Sequence, residues 1–144
     1  MPNPRMAVAH DENFAAYDTF IVDGSTLVFD RTVPRGTAAA GRAVGIKSTT
    51  DNVVELVADG QAILGRIERI EPDGKCVVQV GGYMKLPGGL AAALTRGGKL
   101  VGATGTAGAR GYVRAAAPAT LADVAAARGQ VVEVVDPTNV GVFF

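Results

Sequence analysis

A chain of 144 residues has the length of one domain and can bury a core without disulfide or metal staples. Its 48% hydrophobic content excludes a disordered chain, and the balance of 14 basic against 14 acidic side chains leaves no long-range field to gather nucleic acid or anionic lipid. Aromatics make up 6%, with no Trp, while Gly reaches 19, so the core must be assembled from Val, Ile, Leu and Ala. The expected fold is mainly β: a small barrel or sandwich of meander hairpins with one short α-helix at about 120–128 and an extended N-terminal arm.

Residues 1–19 hold two prolines, an Asp-Glu-Asn cluster and no sustained periodicity, which reads as that arm, ahead of a single β-rich domain over 20–144. Phe14, Tyr17 and Phe20 are three of the chain's eight aromatics, so they either cover the chain's own sheet or anchor on a neighbour. With Arg5, these three form the candidate partner-binding set. Asp23-Gly24, between two short β-branched and aromatic runs, is a hairpin signal.

After a Gly- and Ala-rich loop, a short strand is expected around Ala43 to Lys47. Turns at Asp59-Gly60 and Pro72-Asp73-Gly74 bound three runs, Val53 to Ala58, Gln61 to Ile70 and Lys75 to Gly81, read as a three-stranded meander. Cys76, Val78 and Val80 share one face of the third run, and Lys75 and Gln79 the other. Ile63, Ile67 and Ile70 also fit a helical period, but Gly65 and the tight turns favour a strand, with a bulge at Gly65 reconciling both patterns.

Leu90 to Thr95 has room for one helical turn, and the stretch VGATGTAGARGYVRAAAPA is either a flexible loop or closely approaching strands, with a brief strand at Tyr112-Val113-Arg114. TLADVAAARG carries the signals of a helix, with Thr120 as N-cap, Asp123 in the capping-box position and Gly129 as the stop. Two short strands around Asp136-Pro137 close the chain, with Val140, Val142 and Phe144 pointing one way, so the C-terminus is expected to be tied into the sheet.

The residue types that carry catalysis are sparse. The single His, His10, sits beside Asp11 and Glu12 in the arm and reads as solvated. Cys76 has no second thiol and reads as an inert buried one. The remaining carboxylates are scattered rather than spaced as metal ligands. The Gly102 to Gly111 stretch lacks the Gly-Lys-Ser/Thr ending of a phosphate loop. Met84-Lys85 in GGYMKLPGG matches the presented lysine of biotin and lipoyl carriers over two residues only. Pro87 cannot donate to a return strand, so Lys85 reads as an ordinary lysine in a turn. No catalytic, cofactor or metal site is therefore expected, and no enzyme.

Ten of the fourteen basic residues are Arg, spread along the chain without interleaved aromatics, which suits carboxylate contacts to a protein partner better than a nucleic-acid platform. MPNPRMAVAHDENF has no apolar stretch of signal-peptide length, and no later run reaches the ~20 residues of a membrane helix, so a soluble protein made in the cytoplasm is expected.

Three phrases, GTAAAGRAVGIKS, VELVADGQAILGRIERIEPDGKCVVQVGGYMKLPGG and ARGQVVEVVDPTNVGVFF, resemble the head decoration, or capsid cement, proteins of tailed bacteriophages. The resemblance covers most of residues 36–144 and rests on glycines, valines and turns. It implies a mainly β protein that forms small homo-oligomers, often trimers, on the capsid exterior of the virion and clamps adjacent major-capsid subunits. A tail or baseplate β-domain, or a small-ligand-binding or carrier barrel, are the other readings the residues admit.

Overall fold

The computed structural model describes residues 15–90 and 94–144. Five strands close a barrel: β1 (Ala16–Val22), β2 (Ala43–Ile46), β3 (Val53–Leu56), β4 (Gly65–Ile70) and β5 (Lys75–Gly81), in the spatial order β1-β3-β2-β4-β5. Closure falls to β1, which runs parallel to β3 (Ile21 opposite Val53) and antiparallel to β5 (Phe20 opposite Cys76). A closed barrel of this kind leaves no edge strand to recruit another chain. Leu27, Val44, Val54, Ile67, Cys76 and Val78 fill its interior, with Phe20 and Val22 packed against them.

The chain then reverses at Gly82, whose φ of 88° favours glycine, into β6 (Tyr83–Pro87). β7 (Leu100–Ala103) and β8 (Tyr112–Ala115) form a hairpin, followed by a six-residue helix α1 (Leu121–Ala126) and the pair β9 (Gln130–Asp136) and β10 (Asn139–Phe143). β10 lies between β6 and β9. This second layer encloses its own core, including Met84, Leu86, Leu100, Val113, Val140 and Val142, which also takes in Ala43, Val57 and Ile63 from the barrel segments. Phe144 packs on that core, and its backbone exchanges two hydrogen bonds with Gly82, so the end of the chain is tied in as expected.

Four local expectations are corrected. Asp23-Gly24 does not close a hairpin. The Asp23 carboxylate accepts from the hydroxyls of Ser25 and Thr26 and from the N–H groups of Thr26 and Leu27, and this local turn sends the chain away while β1 takes β3 and β5 as partners. Burial opposes the Asp23 charge, but these four donors outweigh it and lower the carboxyl pKa to about 2. The meander is interrupted as well, because β2 pairs with both β3 and β4 and so lies between them.

The bulge lies at Glu68, between Ile67 and Arg69, and not at Gly65. It adds one residue to β4, which is why Ile67 and Ile70, an odd number of positions apart, both point into the barrel. Thr120 makes no side-chain cap, and the Asp123 carboxylate binds the Arg114 guanidinium and the Ala117 N–H rather than the Thr120 N–H, which donates to the Ala117 carbonyl. The expected helical turn at 90–95 lies partly outside the described residues.

Gly65 is required by close approach: a methyl group there would collide with the Gln79 carbonyl oxygen across the β4–β5 ladder. Gly24, by contrast, has open space around it and only a positive φ of 74°. Gly65→Ala is therefore expected to cost roughly 3 kcal/mol in urea unfolding, as overpacking does, and Gly24→Ala about 1 kcal/mol. Equal costs would contradict the packing described for β4.

Candidate interaction surface

Of the four candidate partner-binding residues, Arg5 and Phe14 lie outside the described residues, and β1 places the other two on opposite sides of the barrel wall. Alternation along the strand turns Tyr17, Thr19 and Ile21 outward and Phe20 inward. Tyr17 is 56% exposed and Ile21 49%, whereas Phe20 packs against the barrel core. β1 begins at Ala16, so residues 16–19 are paired with β5 in the barrel wall.

A second apolar exposure was not anticipated. β9 is the outer strand of its sheet, and the bulges that interrupt its pairing with β10 turn Val132 and Val135 outward. Among the described residues, the backbone of Val132 to Asp136 bonds to no strand other than β10. On the same sheet Phe143 is exposed, and the Tyr83 hydroxyl donates to Glu133 at 2.5 Å. The alternation of VVEVVD suggests a strand, but only the bulges decide which valines face out.

The opposite edge, β6, is covered. Gln79, on the face of β5 opposite Cys76 and Val78, is 2% exposed because β6 folds over it. Its amide donates to the carbonyls of Tyr83 (2.8 Å) and Gly81 (3.2 Å), and its oxygen accepts from Arg66 at 3.1 Å. Arg66 also donates to the Lys85 carbonyl and pairs with Glu68 at 2.7 Å. Side chains from the barrel thus occupy the carbonyls that a visiting strand would need.

Lys85 sits in the middle of β6, opposite Gly141, rather than at a turn. It is exposed and lines an open groove of about 470 Å³ together with Arg42 and Tyr112. The Arg42 guanidinium lies over the Tyr112 ring, 5.3 Å from its centroid. Another cleft holds Arg114 between Asp123 and Asp59, at 2.5 and 2.8 Å. Arg114 holds the Asp123 carboxyl below its usual pKa, and its hydrogen bonds are taken up by Asp59, Asp123 and the Ala115 carbonyl. That cluster ties β8 to α1.

His10 lies outside the described residues. The loop Thr104–Gly111 between β7 and β8 contains a single 3-10 turn, at Thr106–Gly108. Among the described residues no group of three or more His, Cys, Asp or Glu side chains is placed to hold a metal, and no helix is long and apolar enough to cross a membrane. Comparison of the chain with protein-family models, with curated proteins and with solved structures finds no match in any of the three.

Cys76 is fully enclosed in the barrel, and burial pushes its thiol up to about 11, against a smaller opposing effect of the Phe20 backbone. The ordinary value is 9.0, so its thiolate is roughly a hundredfold scarcer than in the unfolded chain. Iodoacetamide at pH 8 is expected to leave Cys76 unlabelled in the folded protein and to alkylate it fully in urea. Rapid labelling without denaturant would show that the barrel opens at β1 or β5.

Proposed function

We propose that this chain is a non-enzymatic decoration protein of a tailed-bacteriophage head, made in the host cytoplasm and bound on the capsid exterior, where it clamps neighbouring major-capsid subunits. The observation that carries the reading is the outward face of β1. Tyr17 and Ile21 form an exposed apolar strip on a closed barrel, directly downstream of the residues that enter it. A rigid body of filled cores, with apolar residues displayed on strand surfaces, suits a protein whose task is attachment.

Clamping needs no turnover. It needs binding that favours the assembled shell over its free subunits, and each occupied site then stabilises the shell by mass action. Main-chain pairing at an exposed strand edge and aromatic side chains seated in pockets are the usual means. In this reading Tyr17 belongs to the contact surface, Phe20 serves the barrel, and Arg5 and Phe14 precede it. The protein acts as a homo-oligomer, with a trimer favoured, and it engages neither nucleic acid nor membrane.

The test is co-sedimentation with expanded heads stripped of accessory proteins, together with the solution mass. Saturable binding at a fixed ratio and a mass of three chains are expected. Removing residues 1–14 is expected to leave the unfolding transition in place, since the ten strands described begin at Ala16, and to weaken binding about tenfold or more, ~1.4 kcal/mol. Full-strength binding by the truncated chain would contradict a contact by Arg5 or Phe14, and no binding by the intact chain would overturn the reading.

A further inference from the structure

We infer that the groove between β6 and the Gly41 turn is a docking site for an extended peptide segment that carries a carboxylate, supplied by a partner chain. The assignment requires no capsid and stands apart from the reading above. Its walls come from four separated segments: Gly41 and Arg42 just before β2, Lys85 and Pro87 on β6, Tyr112 on β8, and the Asp136 to Asn139 turn.

Charge decides the occupant. Five of the described arginines, Arg35, Arg66, Arg69, Arg110 and Arg114, and Lys75 among the lysines, are paired with carboxylates. Arg31, Arg42, Arg96, Arg128, Lys47, Lys85 and Lys99 have no such pair among the described residues, and two of them, Arg42 and Lys85, face the same groove. Arg42 is held in place without an acid: its guanidinium stacks on Tyr112 and one of its N–H groups reaches the Arg110 carbonyl at a long 3.5 Å. Gly111 beside it is required, because a methyl group there would press on the Arg42 stem at 2.9 Å. A planar guanidinium positioned in advance, with donors to spare, is suited to a carboxylate.

One acid shares the groove, and it is occupied locally. The Asp136 carboxylate accepts the Thr138 N–H at 2.8 Å and its hydroxyl at 2.6 Å. The groove therefore keeps a net positive charge, with Pro87 and the Tyr112 ring as apolar walls for a neighbouring side chain of the segment. Protein is favoured over nucleic acid because the chain as a whole has a net charge of zero, which gives a polyanion nothing to hold beyond this one patch.

The experiment titrates the full-length protein with a terminally blocked pentapeptide containing aspartate and phenylalanine, following backbone amide shifts by NMR. Shifts confined to Gly41, Arg42, Lys85, Tyr112 and Asn139 are expected, lost when asparagine replaces the aspartates and weakened by salt. Lys85→Gln, an exposed change on a covered strand, is expected to weaken binding roughly fivefold, the weight of one exposed ion pair. Arg42→Gln is expected to abolish it, and amide shifts far from Tyr112 that match the parent protein show that the variant is folded. Equal binding of the asparagine peptide, no shifts at millimolar peptide, or the same shifts produced by inorganic phosphate or a short oligonucleotide but not by the peptide would overturn the assignment.

Discussion

The fold depends on one strand closing on two partners. β1 donates from Ile21 to the Asn52 carbonyl and from Val22 to the Gly74 carbonyl, at 2.9 and 3.0 Å, while Asp23 continues the parallel contact with Val54. Those bonds join the first strand to the fifth and third, and they convert an open sheet with two exposed edges into a barrel with none. Closure gives the small aliphatic side chains an enclosed interior despite the scarcity of aromatics. It also sets the point from which anything upstream of Ala16 must reach.

A second constraint joins the barrel to the layer beside it. Gln79 and Arg66 are polar groups beneath β6, and their bonds to the Tyr83 and Lys85 carbonyls fix where that strand lies. Buried polar groups satisfied on every side specify one arrangement, because any other leaves them unpaired at a cost of about 1–3 kcal/mol each. The glycine content has the same origin. Gly65, Gly88 and Gly102 each place a backbone so close to a neighbouring carbonyl that a side chain would collide with Gln79, Pro137 or Ala58.

Much of this was legible locally. β5 spans the run marked by its turns, the Asp136-Pro137 turn joins β9 to β10, and the pairing of β7 with β8 is one of the two readings of the Gly-rich stretch. What was not legible involved competition or distance. Asp23-Gly24 favours a hairpin until four nearby donors claim the carboxylate. The spacing of Ile67 and Ile70 is a bulge signature that resembles a helical period, and the place of β2 between β3 and β4 depends on contacts that no short window contains. Tyr17 was visible as an aromatic in need of a home, but alternation about Phe20 could be assigned an inward side only once β5 was in place. The groove, drawn from segments around 41, 85, 112 and 138, has no local signature at all.

The most direct test is native-state hydrogen exchange at the Ile21 and Val22 amides, read against Val78 in β5. If β1 is part of the barrel wall, all three exchange only through global unfolding and share one free energy of opening. Exchange of Ile21 and Val22 at the rate of an unstructured peptide, with Val78 still protected, would make β1 a detachable segment. It would also take Tyr17 and Ile21 out of the barrel wall.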